Sequence, residues 1–388
     1  MNRFWRCFVM ALGGIAILGV VGVIAFLQQP VFGDLPSGDR LARIERSPNH
    51  AGGVFHNQID TPMRTTDQSE WSMWMQTLFG EKGQVRPLGA IPAIKIDLKA
   101  LDPAQDLVVW LGHSSFFMQL GGQRLLIDPV FSVNAAPVPG VNKAFEGASV
   151  YTAGDMPEID ALLISHDHYD HLDFPSIQAL KPKVRQVIAG LGVGAHFERW
   201  GYDMNRVREA DWNEVFALTP QVRVHVTPAR HYSGRTFTRD QSLWVGFALV
   251  SPERRYFFSG DSGYGPHFAE IGQRLGPFDW AALDAGQYDP RWANVHMNPE
   301  QAAQAAEDLR THVLMQAHVG RFTIAPHDWD DPFKRIVAAS EGRSYSLWTP
   351  EIGQPVYLDG RAQSFTAWWQ SGGAMNTRPQ LAAGSEEK

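Results

Sequence analysis

The sequence predicts an α/β sandwich, with helices outside two packed sheets. Three observations lead there. Short apolar runs of strand length alternate with helical stretches over much of the chain. Consecutive hairpin signals at 106–128 and 221–258 argue against a single doubly wound sheet. Four apolar runs, far apart in sequence, each end in a His or an Asp, as strands do when their carboxyl ends share one crevice.

The N-terminus is a different material. Phe8 to Leu27, FVMALGGIAILGVVGVIAFL, is uncharged, apolar and about as long as a bilayer core requires. LQQPVFG follows instead of a small-residue cleavage site, so a retained anchor is expected over a cleaved signal. Arg3 and Arg6 favour a cytoplasmic N-terminus; Arg40, Arg43 and Arg46 on the far side pull the other way. The expectation is an inner-membrane anchor with the remainder on the periplasmic side. Residues 31–100 lack clear periodicity and read as a linker plus an extension draped over a core. Within them SEWSMWMQTLF suggests a short amphipathic helix packing Trp71 and Trp74 on apolar surface.

From residue 106 the texture changes. DLVVWLGHSSFFMQLGGQRLLIDP is a β-meander, three apolar runs broken by Gly-His and Gly-Gly. ALLIS is a strand, followed by a helix opening near Asp173, then the strand VRQVIAG. VRVHVTPA, LWVGFALVS and RYFFSG are strands again. Asn298 is an N-cap, with Pro299 at the first helical position and Gln301 completing a capping box. That helix leads into the strand HVLMQA, and the tail from Gly372 reads as disordered.

Composition narrows the chemistry. The 388 residues are 44% hydrophobic and 19% charged, and a formal net charge of −7 gives no electrostatic reason to expect nucleic acid. The single cysteine, Cys7, excludes an intrachain disulfide and any multi-thiolate zinc site. A metal would have to rest on imidazole and carboxylate. Those groups sit at the strand ends: ALLIS ends at His166, VHVTPAR at His231, RYFFSG at Asp261 and VLMQA at His318. With His168, Asp170 and His171 they make more donors than one tetrahedral ion needs. Two ions sharing a carboxylate and a water, about 3.5–4 Å apart, would use them. Zinc suits such donors, as do iron and manganese. Helix capping explains Asp173 without metal, and Asp167 is expected to face solvent or to hold a neighbouring imidazole.

HDHYDH, residues 166–171, resembles the HxHxDH signature of the metallo-β-lactamase superfamily, and the later His, Asp and His follow in the family's order. The likeness is strongest to N-acylphosphatidylethanolamine-hydrolysing phospholipase D and its bacterial relatives, over about residues 104 to 335. It is carried by WLGHSSFFMQLGGQRLLIDPVFS, HYSGRT, FFSGDSGYG, GQYDPRW, HMNPEQA and QAHVGRFTIA. The resemblance implies a four-layer αββα fold and a di-metal site; the hydrolase domain is expected over 101–371, and the anchor at 1–30 and the extension at 31–100 depart from the family's pattern, so acyl-chain recognition does not carry over. One ion would lie on His166, His168 and His231, the other on Asp170, His171 and His318, with Asp261 bridging. His296 matches a histidine near the substrate phosphate, Tyr288 and Arg291 are further candidates for that pocket, and His113 is expected to brace its hairpin. The implied reaction is hydrolysis of a phospholipid phosphodiester by a metal-bridging hydroxide, the ions stabilising the added charge. A lactonase of the same fold is one alternative. A catalytically silent membrane-tethered binding protein is another.

Overall fold

The N-terminal apolar run folds as helix α1 (Arg3–Leu27) in the computed structural model, which describes residues 3–80 and 83–371. The side chains of a few positions in two N-terminal helices, Cys7 and Trp74 among them, lie outside the described set, as does the tail expected to be disordered. In α1 the unbroken run of described side chains starts only at Leu12. Among the described residues no helix is long and apolar enough to cross a membrane, so the expected spanning anchor is not borne out by the fold.

Residues 31–100 do drape over the domain. They carry α2 (Gly38–Ile44), a two-residue hairpin of β1 (His50–Ala51) and β2 (Val54–Phe55), and α3 (Glu70–Phe79). Ile44, Phe55 and Ile91 are buried in the main core. The amphipathic helix forms where expected, capped by Ser69, with Trp71 68% exposed on it.

The first sheet runs β16-β3-β4-β5-β6-β7-β8, from β3 (Leu107–Gly112), β4 (Ser115–Leu120), β5 (Gln123–Ile127), β6 (Ala161–Ile164), β7 (Val187–Gly190), β8 (Val207–Ala210) and β16 (Pro355–Tyr357). Its first hairpins are antiparallel, and the strands after β5 are parallel. Helices α4 (Phe174–Leu180) and α5 (Gly194–Arg199) connect the parallel strands. The second sheet runs β15-β14-β13-β12-β11-β10-β9, from β9 (Val215–Ala217), β10 (Arg223–Thr227), β11 (Gly246–Val250), β12 (Arg255–Phe258), β13 (Trp280–Asp284), β14 (Val313–Ala317) and β15 (Ser346–Leu347). Helices α6 (His267–Leu275), α7 (Pro299–Asp308) and α8 (Asp331–Ser340) cover it.

Period-2 alternation explains the layering. Val108, Trp110, Phe116 and Met118 of the first sheet meet Phe247, Tyr256, Phe258 and Trp280 of the second in one inter-sheet core. The intervening Leu107, Val109 and Phe117 turn outward against Ile177, Leu180 and Phe197 of α4 and α5. Phe257, Ala281 and Leu283 likewise turn outward onto Phe268 of α6, Ala302 of α7 and Ile336 of α8. Both faces of each sheet are therefore covered, which is why the strands read as continuous apolar runs. Asp173 caps α4 by accepting from the Ser176 amide at 3.2 Å, and the Asn298–Gln301 capping box opens α7, both as predicted.

Candidate metal centre

Every strand end named from the sequence arrives at one edge of the sandwich. β6 delivers the loop 165–171, β10 leads to His231, β12 to Asp261 and β14 to His318. Gly260, at φ +61, is needed there: a Cβ would stand 2.6 Å from the Val245 carbonyl and 3.0 Å from Ser165 Cβ, so the second sheet could not approach the first. His113, Asp128 and His318 also hold left-handed backbone, at φ 56, 41 and 64. Such strain in non-glycine residues persists only where the surroundings impose it, and it clusters at functional sites.

The seven expected donors form two adjoining groups. In the first, His166 Nε2 lies 2.9 Å and His231 Nε2 3.3 Å from His168 Nδ1. Asp261 Oδ2 stands 3.8 Å from His166 Nε2 and 3.7 Å from His231 Nε2. In the second, Asp170 Oδ2 lies 3.1 Å from His318 Nε2 and 3.6 Å from His171 Nε2. Asp261 reaches this group too, with Oδ2 3.2 Å from His318 Nε2 and Oδ1 3.2 Å from His171 Nε2. Asp261 therefore sits between the groups.

The outer ring nitrogens are held by the fold. His231 Nδ1 meets the Val295 carbonyl at 2.9 Å, and His166 Nδ1 meets Ser165 Oγ at 2.9 Å. His171 Nδ1 donates to Asp128 Oδ2 at 2.8 Å, and Ser165 supplies both its amide and its hydroxyl to that carboxylate, at 2.8 and 2.5 Å. His318 Nδ1 faces Asp284 Oδ1 at 3.4 Å. Orienters of this kind fix which nitrogen of each imidazole points inward.

Charge separates the groups. Burial pushes the His168 imidazole down to about 4 and holds His166 and His231 well below their ordinary value, so their lone pairs are available. Burial alone would lower His171 and His318 as well. Asp261 and Asp170 outweigh it for His171; Asp261 and Asp284 outweigh it for His318, which rises to about 10. The same pairing holds Asp170 and Asp261 far below the carboxylate range against the opposing effect of burial.

This donor set fits divalent ions. Asp128, Asp170, Asp261 and Asp284 are all buried, and among the described residues none forms an ion pair with Lys or Arg. Buried carboxylates whose only charged neighbours are imidazoles call for cations. His171 Nε2 and Asp261 Oδ1 are 3.2 Å apart, yet neither has a hydrogen-bond partner, as expected of two atoms shaped for a third between them.

Other predicted residues fall around this centre. His296 Nδ1 donates to Asp284 Oδ2 at 2.8 Å, and the residue lines two cavities. One, of about 250 Å³, lies over His168, Asp170, Asp261 and His318. The other, of about 940 Å³, is lined by Tyr288, Arg291 and Trp292. Tyr288 and Arg291 share that larger cavity with His296 but do not line the smaller one, and both are engaged: the Tyr288 hydroxyl donates to Asp331, and Arg291 grips Asp289 through Nε at 2.7 Å and Nη2 at 2.9 Å. His113 pairs through its backbone with Val319, just beyond β14 of the other sheet, its carbonyl accepts from Trp110 Nε1 at 2.8 Å, and its Nε2 lies 2.9 Å from Asp170 Oδ2. Asp167 does not face solvent. It is buried, accepts from the Gly234 amide at 2.7 Å and lies 3.4 Å from His196 Nε2.

Sequence reasoning missed Asp284, Asp128 and Ser165. Asp284 ends β13, WAALD, and obeys the same strand-end rule that found the other four.

Comparisons with known proteins give the family. Residues 123–319 match the model of the Beta-lactamase superfamily domain. An uncharacterized protein of Mycobacterium tuberculosis is 36% identical over 330 residues, covering 84% of this chain and 88% of its own. An N-acyl-phosphatidylethanolamine-hydrolyzing phospholipase D of Caenorhabditis elegans is 29% identical over 268 residues, covering 63% of this chain and 74% of its own. Among solved structures, a metallo hydrolase of the archaeon Ignicoccus hospitalis superposes with a TM-score of 0.50 at 21% identity, covering 65% of this chain and 97% of its own, a likeness of fold alone. The chain belongs to the metallo-β-lactamase superfamily and is a hydrolase of that superfamily.

Proposed function

We propose that this hydrolase is a di-metal phosphodiesterase of phospholipase D type, acting on phospholipids such as N-acylphosphatidylethanolamines. The observation that carries the reading is the position of His296, shared between the small cavity over the donor set and the cavity of about 940 Å³ beside it. A soluble lactone needs no such second chamber; a diester with a bulky group on either side of phosphorus does. The Caenorhabditis relative supports the same substrate class.

His166, His168 and His231 would hold one ion and Asp170, His171 and His318 the other, with Asp261 between them. Zinc is the preferred metal, with iron or manganese as alternatives. Ions held there would supply an acidified water and a Lewis acid toward the phosphoryl oxygens. Asp284 fixes the Nδ1 proton of His296. His296 Nε2 is then left to meet the substrate, where a proton held on it would pass to the departing alkoxide. Tyr288 and Arg291, on the wall of the larger cavity, shape the chamber around the substrate's remote group.

The membrane role belongs to the same proposal: α1 engages lipid, with the hydrolase domain on the periplasmic side of a bacterial inner membrane. The uncharged run from Phe8 to Leu27 and the exposure of Ile15, Ile17 and Leu18 support this. The test is release of phosphatidate from vesicle-borne N-acylphosphatidylethanolamine by purified full-length protein, beside hydrolysis of a soluble lactone. Turnover of the phospholipid that disappears on chelation is the expected result. Turnover of the lactone alone would sink the reading.

A further inference from the structure

Two loops on either side of the site's mouth carry large apolar side chains into solvent. Phe237, in the loop after His231, is 88% exposed; Val133, Val138 and Val141, in the loop after β5, are 54%, 44% and 47% exposed. Both loops line the cavity over the donor set, through Thr236 and Arg239 on one side and Ala135 and Asn142 on the other. Clustered exposed apolar residues at a functional opening mark a surface that meets a partner.

The base of α1 is fixed to this same face. A groove of about 330 Å³ lies between Gln29, Pro30 and Val31 after the helix and Asn134, Ala136 and Pro137 of the valine-bearing loop. Phe26, in the last turn of α1, meets Phe32 edge-on at 5.0 Å, and Phe32 meets Tyr169 of the HDHYDH loop at 6.4 Å. The connecting strap is held through its backbone. Arg199 donates to the Gln28 carbonyl at 2.5 Å, Trp200 Nε1 to Pro30 at 2.7 Å, and Arg235 Nη2 to Val31 at 2.7 Å, while the Asp34 amide donates to His196 Nδ1 at 3.1 Å. Arg235 also donates to the Asp167 and Leu172 carbonyls, at 2.6 and 2.8 Å, so one guanidinium clamps the strap to the metal-site loop. The helix does not hang on a free linker.

We infer that this face docks on a lipid bilayer, with Phe237 and the Val133–Val141 loop seated at the surface that α1 enters, so that the site's mouth opens onto the membrane. The occupant is argued from α1. Ile15, Ile17, Leu18, Val20, Val21, Val23 and Ile24 are all exposed, and at about 100° per residue they are spread around the whole helix. A protein groove covers one face of a helix; lipid covers all of them. Arg239 and Lys143, at the bases of the two loops, suit anionic headgroups. The inference rests on the reading of α1 as engaging lipid, and not on which bond is cleaved.

Because Cys7 is the sole cysteine, a Cys7→Ser background accepts one probe at a time. An environment-sensitive fluorophore would be attached to Phe237→Cys, Val138→Cys and Gln221→Cys in the full chain, mixed with phosphatidylethanolamine/phosphatidylglycerol vesicles containing nitroxide-labelled lipid. Gln221 precedes β10 at the end remote from His231 and is exposed. The expected result is flotation of all three, with a blue shift and nitroxide quenching at positions 237 and 138 but not at 221. Flotation with aqueous emission at 237 and 138 would overturn the docking and leave the membrane reading of α1 intact. No flotation would overturn both. Shielding at all three positions, or at 237 and 138 without nitroxide quenching, would mean protein–protein burial and would overturn the proposal as well. Val141→Cys gives a further loop position should Phe237→Cys fail to fold.

Discussion

The two halves of the donor set both rest on buried histidines, yet their imidazoles are held in different protonation states. His166 and His231 lie 3.8 and 3.7 Å from Asp261 and rest on a hydroxyl and a backbone carbonyl, and burial outweighs the carboxylates that act on His168. All three rings stay neutral. His171 and His318 have carboxylates on both sides of the ring: Asp128 or Asp284 behind, Asp170 and Asp261 in front. They are drawn to the protonated form. What distinguishes the halves is that each ring of the second has two carboxylates acting strongly on it, Asp261 and Asp170 on His171, Asp261 and Asp284 on His318. A proton on each of two imidazoles does in the second half the charge-balancing that a divalent ion would do.

Removing the group common to both halves has the largest expected effect. Asp261→Ala should abolish binding at both positions, taking metal content from two ions per chain toward none. Activity should fall by at least about 10²-fold, since even groups that only support a ligand are worth about 10–100-fold. Elemental mass spectrometry beside the hydrolysis assay checks this. Retention of one ion would mean that Asp261 serves a single half.

Asp128→Asn splits the halves. It leaves every donor in place but weakens the partner behind His171, so only the second ion should loosen, by about 10–100-fold in affinity. A chelator titration should then show one site shifted and one unchanged. Equal weakening of both would show that Ser165, which touches both Asp128 and His166, transmits the change across the divide.

The charge difference itself is visible by nitrogen NMR of the imidazoles in metal-stripped protein. His318, raised to about 10, should remain protonated through neutral pH, while His168, lowered to about 4, should be neutral there. The stability consequences have opposite signs. The His318 contribution is complete below its unfolded value near 6.5 and is lost as pH rises through about 10. The His168 contribution is complete above 6.5 and is lost as pH falls through about 4. The stripped protein should therefore be most stable close to neutrality, with Tm falling on both sides. A monotonic profile would contradict the assignment.

The same contrast explains what was legible in the sequence. Four of the seven donors, His166, His231, Asp261 and His318, could be read because each ends an apolar run, and His168, Asp170 and His171 because they crowd directly behind the first of them. The meander, the α4 cap and the α7 capping box were legible for the local reason that turn and cap chemistry is written within a few residues. Asp128 was not, because IDP reads equally well as a turn and its partner Ser165 is distant in sequence. Asp284 was hidden although β13 follows the strand-end rule, since nothing local says that its carboxylate spans His296 and His318. The amphipathic spacing on α3 was legible as a helix, but spacing does not say how far the rest of the chain shields Trp71, which stays 68% exposed.

The smallest expected effect tests whether the halves can be left untouched. Asn298 caps α7 by accepting from the Gln301 amide at 2.9 Å, while Gln301 Oε1 accepts from the Asn298 amide at 3.1 Å. His296 lies two residues before this box, on the substrate side of the donor set. Asn298→Ala should cost about 1 kcal/mol through the lost cap. A lowering of Tm by a few degrees is the size expected for a chain of this length. Metal content should stay at two, because no donor and no partner behind one is altered. A rise in KM with kcat nearly constant would place the cap's influence on the wall that holds the substrate. Loss of an ion from the second half would instead show that the 296–301 turn supports His318 through Asp284, joining substrate wall and metal half into one unit.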